Sequence, residues 1–314
     1  MKKVIVVGSG HWGKNLVRNF YELNSLAGVV EISPTLRSQV KEQYPEIPLF
    51  TDYQEALATD VSAIVVATPA PTHYELALAA LKAGKDVFVE KPMTLHESEA
   101  HELAAYADEH GRILMVGHLL LYQPAITWMR NYLRSGKAGK VQHVATHRLN
   151  LGKVRTTENV WWSLAPHDIS IILDLLDNPT LYQVKAANYS RLQADIADEV
   201  HADLVFSSGQ TAHLHCSWQW PLKQRGTVVI TEKQMLVYDE IQQSVDVHEK
   251  LIDQQLNAVD KGSTSIHVAS ERPLKLECEH FLDCIESRQP PHSDGRNGVA
   301  VVKILEKVQE IING

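Results

Sequence analysis

Cysteine is scarce in this sequence. The 314 residues contain three, Cys216, Cys278 and Cys284, at spacings that fit neither a disulfide framework nor a zinc motif. A disulfide-stapled extracellular scaffold is excluded, and Cys278 and Cys284 read as small apolar groups on a helix. Long apolar runs are missing as well: none reaches the ~20 residues of a membrane span. Basic charge is not in excess. The formal net charge is −8, from 30 Lys and Arg against 38 Asp and Glu, so the chain carries no nucleic-acid footprint. An anionic small ligand stays open, because local arginines and lysines decide that. Repeats and low-complexity tracts are absent. The opening Met1-Lys2-Lys3 leads straight into an apolar strand, so no signal peptide is expected and a reducing cytoplasm is the expected compartment. What is present is ordinary globular material, 44% hydrophobic and 22% charged, at a length that suggests two domains.

The strongest local signal is Val4-Ile5-Val6-Val7-Gly8-Ser9-Gly10-His11-Trp12-Gly13-Lys14. A β-branched run reads as a strand buried on both faces, and the spacing after Gly13 is helical. The glycines therefore sit at a strand-to-helix turn, where Gly8 permits the turn, Gly10 admits a pyrophosphate and Gly13 lets helix and strand approach. Helix N–H groups and dipole would hold the phosphates. A second apolar run ends in Glu31, 23 residues after Gly8, close to the position of a carboxylate that binds the adenosine ribose. Glu31 favours NAD over NADP; Arg37 pulls the other way, since an arginine can serve a 2′-phosphate.

Strands and helices alternate as far as Gly117. Ala63–Ala67 is a buried strand that ends in Thr68-Pro69-Ala70-Pro71-Thr72-His73, and the prolines stop it at the carboxyl end where ligands bind in open α/β sheets. Asp86-Val87-Phe88-Val89-Glu90-Lys91-Pro92 is another strand with a proline stop. This predicts a Rossmann parallel sheet over residues 1–123. A linking helix is expected over Pro124–Ser135. From Val141 the pattern becomes short alternating strands, as in His213-Leu214-His215-Cys216-Ser217-Trp218. Residues 124–314 are thus expected to form an α+β substrate-binding and oligomerisation domain. Its sheet would be mostly antiparallel and open-faced, covered on one side by helices at Trp162–Leu176 and Leu274–Ser287. The last helix, Val299–Ile312, is expected to dock on the first domain. The free sheet face is the expected surface of a homodimer or homotetramer.

The glycine turn, Ala67-Thr68-Pro69-Ala70-Pro71-Thr72-His73 and Glu90-Lys91-Pro92, in this order and spacing, resemble the Gfo/Idh/MocA oxidoreductases, and the resemblance runs over the whole chain. It implies a nicotinamide cofactor and a sugar-like substrate. Lys91 matches the family's active-site lysine and His167 resembles its active-site histidine. Many members carry an aspartate four residues before that histidine; here Ser163 stands there, a departure from the family pattern that bears on the proton relay. Arg148-Leu149-Asn150-Leu151-Gly152 and the run from Ser217 to Arg225 look like a branch that oxidises C3 of UDP-N-acetylglucosamine or its uronic acid. Two other readings are compatible with the same motifs: an NADP-dependent ketosugar reductase or free-polyol dehydrogenase, and a non-catalytic cofactor-binding sensor.

Alcohol oxidation needs a group for the hydroxyl proton and a nicotinamide to take the hydride. An ammonium at Lys91 would hydrogen-bond the hydroxyl and share its proton, and His167 would act as base or orienter. By resemblance Glu90 holds the nicotinamide ribose. Ser9, His11, Trp12, Thr68, Pro69, Pro71 and His73 complete the expected cofactor pocket, with His73 shaping it rather than moving protons. Tyr122, Arg148, Asn150, Arg155, Trp162 and Asp168 are the expected substrate contacts, the arginines for a diphosphate or uronate. Asp168, one residue from His167, points elsewhere on a helix. No metal site is expected, because no histidine–carboxylate set converges at ligand spacing.

Overall fold

Strand pairing sorts the protein into two sheets. The computed structural model describes residues 2–268 and 271–313. The chain divides into one unit made of Met1–Leu119 with Arg272–Val302 and another made of Leu120–Glu271 with Lys303–Gly314.

In the first unit β1 (Val4–Val7), α1 (Gly13–Glu22), β2 (Leu26–Val30), α2 (Pro34–Gln43), β3 (Leu49–Phe50), α3 (Tyr53–Leu57), β4 (Ala63–Val66), α4 (His73–Lys82), β5 (Asp86–Glu90), α5 (Glu97–Glu109) and β6 (Leu114–Gly117) follow one another. The six strands are parallel, in the order β3-β2-β1-β4-β5-β6. This is the doubly wound arrangement, with its switch point between β1 and β4. β1, β4 and β5 are buried along their whole length, which is why they read as unbroken apolar runs.

The second unit holds α6 (Pro124–Arg134), β7 (Val141–Leu149), α7 (Val160–Leu175), β8 (Leu181–Tyr189), β9 (Glu199–Phe206), β10 (Thr211–Ser217), β11 (Gln224–Thr231), β12 (Met235–Asp239), β13 (Ser244–Ile252) and β14 (Ala258–Ile266). The eight strands run in the order β14-β13-β12-β11-β7-β10-β9-β8, all pairs antiparallel except β7 with β10. Burial alternates along β7 and β10 until their last residues, Leu149 and Ser217, which are also buried. Val144, Thr146 and Arg148 of β7 and Ala212, Leu214 and Cys216 of β10 are buried. Their odd-numbered neighbours, such as His143, His147, His213 and His215, are only half-buried. α7 packs on β7, β9 and β10 despite Pro166 inside it. β13 and β14 carry no apolar alternation at their far ends, where β14 is almost wholly exposed, and the sequence reading missed both.

One expectation is corrected. The helix α8 (Pro273–Ser287), placed by sequence over the second sheet, belongs to the first unit. The reason is Phe281, fully buried, whose ring meets Phe20 of α1 edge-on at 6.5 Å and Phe88 of β5 at 5.6 Å. The domain boundary drawn at 123/124 is therefore interrupted by residues 272–302. In α9 (Gly295–Ile312), residues up to Val302 also fall in the first unit and those from Lys303 in the second. There Leu305 O accepts from the Trp161 indole at 3.1 Å.

Candidate functional site

The turn between β1 and α1 is built for close backbone approach. Gly8 has φ +91°, and a Cβ at Gly13 would lie 2.1 Å from the Gly8 carbonyl oxygen. A Cβ at Gly10, in contrast, would meet nothing within 4 Å. The turn is thus closed where helix meets strand and open where a pyrophosphate would lie. α1 has no acidic residue in its first turn, so its positive end is not neutralised from within. His11 stands exposed at the rim.

Glu31, buried just beyond β2, ties this turn to the second βα connection. One carboxylate oxygen accepts from the Ser9 N–H and hydroxyl, both at 2.8 Å, and the other from the Ser33 N–H at 2.8 Å. Burial would raise its pKa, but these donors outweigh it and hold the carboxyl below its ordinary value. Arg37 donates to the carbonyls of Glu31 at 2.9 Å and Ile32 at 3.1 Å. Through Nη1 it thereby braces the loop after β2.

After β4, Pro69 and Pro71 bracket a tight turn in which the Thr68 and Thr72 hydroxyls meet at 2.6 Å. His73 is buried beneath it. Its Nδ1 lies 2.7 Å from the Pro92 carbonyl and its Nε2 2.8 Å from that of Thr68. Burial and the charge of Lys91 lower its pKa, against the pull of the two carbonyls. His73 therefore clamps the Thr68 turn to the Glu-Lys-Pro turn.

Glu90 ends β5 and is buried. The Trp12 indole and the Lys91 N–H both donate to its carboxylate. Burial pushes its pKa up to about 7, with Trp12 and Lys91 opposing. Behind it lies a residue absent from the sequence reading, Glu277 of α8. It is fully buried, and neither carboxyl oxygen has a hydrogen-bond partner among the described residues. Burial, then the charge of Glu90, raises it well above the usual carboxylate range. No local motif marks Glu277, because its place beside Glu90 depends on how α8 docks. His118, just past β6, is also buried; burial and then Lys91 lower its pKa to about 3. Lys91, half-buried, is thus the cation that His73, Glu90 and His118 all sense.

The second unit corrects two substrate assignments. Arg148, 3% exposed, donates from Nε and Nη2 to Asp168 at 2.8 to 3.1 Å and from Nη2 to Glu240 at 2.9 Å. Arg225 adds a bond to Glu240 at 3.0 Å. Burial disfavours the Glu240 carboxylate, yet Arg148 and Arg225 hold its pKa below the ordinary value. Arg148 and Asp168 are a buried ion pair under the sheet, with no guanidinium face left for a diphosphate. The alternation of β7 carried this signal: Arg148 shares the inward register of Val144 and Thr146.

The other expected substrate contacts lie as follows. Arg155 is exposed and faces Glu158 at 3.7 Å. Asn150, half-buried, bonds through its N–H to the Ser217 carbonyl at 3.1 Å. Tyr122 is buried in the turn before α6. Trp161 is core, whereas the half-buried Trp162 donates its indole N–H to Gln309 at 3.0 Å. His167 is half-buried on α7. The expectation that no histidine–carboxylate set converges is also corrected: Glu199, His201 and His215 bring donor atoms within 4.8 Å of one another.

The family model for the oxidoreductase family with NAD-binding Rossmann fold, GFO_IDH_MocA, matches residues 2–118, and that for the GFO/IDH/MocA C-terminal domain matches residues 126–237. The chain is 26% identical over 310 residues to the UDP-N-acetylglucosamine 3-dehydrogenase of Acidithiobacillus ferrooxidans, covering 97% of this chain and 95% of that protein. The solved structure of that enzyme superposes with a TM-score of 0.88 at 25% identity, over 99% of this chain and 97% of the other. GenD2 from gentamicin A biosynthesis, solved in complex with NAD, shares the fold at a TM-score of 0.83 and 23% identity, covering 100% and 95%. Inositol 2-dehydrogenase of Serratia proteamaculans is 26% identical over 181 residues, 55% of this chain and 54% of its own length.

Proposed function

Since the chain belongs to the Gfo/Idh/MocA family of NAD-binding oxidoreductases, we propose that it oxidises a secondary alcohol of a nucleotide sugar, C3 of a UDP-N-acetylated hexose or its uronic acid. One observation carries this reading: the end-to-end similarity to a UDP-N-acetylglucosamine 3-dehydrogenase, over 97% of this chain and 95% of that protein. The cofactor fits the residues present. The space over Gly10, the N–H groups at the start of α1 and the Glu31 carboxylate suit pyrophosphate and ribose. NAD, when bound, supplies the hydride acceptor.

The protein supplies charge and proton handling. In this reading the Lys91 ammonium hydrogen-bonds the reacting hydroxyl and stabilises the alkoxide as it develops. His167 takes or orients the hydroxyl proton, an imidazole being suited to transfer near neutral pH. Glu90 positions the nicotinamide ribose, and Trp12 holds Glu90 in turn. Asn150, Arg155, Tyr122 and Trp162 remain the proposed substrate contacts.

A free polyol is the second reading, and one finding favours it: the ion pair of Arg148 removes one of the two arginines that argued for a diphosphate. The deciding experiment offers UDP-N-acetylglucosamine and myo-inositol in parallel with NAD and follows absorbance of the reduced nicotinamide. Turnover confined to the nucleotide sugar, lost in Lys91→Ala with NAD binding retained, is the expected result. Turnover with inositol alone overturns the substrate assignment, and a fully active Lys91→Ala overturns its role.

A further inference from the structure

On the half-exposed face of the second sheet, His201 of β9 and His215 of β10 are directly opposite each other across an antiparallel pair. Their rings stack with centroids 4.0 Å apart and 19° between planes. Both Nε2 atoms converge on the same oxygen of Glu199, at 3.2 Å from His201 and 2.8 Å from His215. The three donor atoms lie within 4.8 Å of one another. We propose that Glu199, His201 and His215 form a binding site for a divalent transition-metal ion of the zinc type, with a fourth position open on the sheet surface.

The donor set is the borderline nitrogen–oxygen mixture that suits Zn²⁺ rather than Mg²⁺ or Ca²⁺. Tetrahedral Zn²⁺ holds its ligands at about 2.0–2.2 Å, which sets ligand atoms about 3.3 Å apart. The two histidine–carboxylate spacings differ from this by a few tenths of an ångström, a change that side-chain rotation supplies. The set is also held in place. The second oxygen of Glu199 is bound by Arg191 at 2.5 Å, leaving the first to face the imidazoles. Arg191 is itself offset by Asp198 at 3.7 Å. Tyr189 stands edge-on to His201 and Trp220 edge-on to His215. An outer group that orients a ligating carboxylate is a usual part of a metal site.

Such an ion would bridge β9 and β10 by three side chains in place of shared protons. Neither the cofactor turn nor Lys91 takes part, so the site stands apart from the proposed dehydrogenase reading. The test strips the intact protein with a chelator and titrates Zn²⁺ by calorimetry, with metal content read by mass spectrometry. One Zn²⁺ per chain is expected, with affinity at least about tenfold lower in His201→Ala and in His215→Ala. His213→Ala, which removes a neighbouring histidine paired with Asp203, should leave it unchanged. No stoichiometric uptake, or uptake that survives both substitutions, overturns the proposal. Should a variant fail to fold, anomalous scattering at the zinc edge from wild-type crystals decides: density touching both Nε2 atoms supports the site, and zinc found only elsewhere overturns it.

Discussion

Arg148→Ala should destabilise the second unit without acting on substrate affinity. Arg148 is 3% exposed and makes charged hydrogen bonds to both oxygens of Asp168 and to Glu240. Removing it leaves Asp168, 2% exposed, with no cation in contact, while Glu240 keeps only Arg225. Breaking a buried pair by deleting one partner costs about 3–5 kcal/mol, because the surviving charge stays desolvated. With a urea m-value of about 2 kcal/mol/M, the midpoint of the second unit should fall by roughly 2 M. Urea denaturation followed by tryptophan fluorescence reads it, since Trp161, Trp162, Trp218 and Trp220 all lie in that unit. Arg148→Met combined with Asp168→Leu should recover most of the loss, because an apolar pair of similar volume carries no stranded charge. An unchanged midpoint together with a tenfold rise in KM for a nucleotide sugar would refute the assignment and return Arg148 to the substrate.

Gly10→Ala should leave the melting temperature unchanged yet weaken NAD about tenfold or more by calorimetry, because its Cβ enters open space meant for pyrophosphate. Gly13→Ala should lower the melting temperature itself, since its Cβ would sit 2.1 Å from a carbonyl oxygen. Glu31→Ala should weaken NAD more than NADP; an unchanged preference would mean Glu31 does not select. Glu90 gives a pH prediction. Its folded pKa, about 7, lies above the unfolded value, so its contribution to stability is complete below the ordinary carboxylate pKa and is lost as pH rises through about 7. Glu90→Gln should flatten that decline in urea midpoints measured from about pH 4 to about pH 8, which brackets the unfolded and folded pKa values.

Legibility followed periodicity and failed where a contact joins distant segments. The glycine turn, Glu31 and the two proline-stopped strands were readable because each motif is local and its flanks are apolar runs. Arg148 reads as a ligand from its place at a strand end, whereas the strand alternation points it inward, and its pairing with Asp168 joins segments 20 residues apart. Glu277 was invisible: it follows from Phe281 anchoring α8 on Phe20 and Phe88, and nothing in residues 273–287 names that partner. The histidine pair lies in the same class, since His201 and His215 meet only through the β9–β10 register. β13 and β14 escaped because exposed strand ends have no face to bury.

In the proposed reaction hydride leaves C3 of the sugar for NAD. UDP-N-acetylglucosamine deuterated at C3 puts that to the test, with the reduced nucleotide weighed by mass spectrometry. Reduced NAD carrying one deuterium is the predicted result; turnover that yields only unlabelled reduced NAD contradicts the assigned carbon.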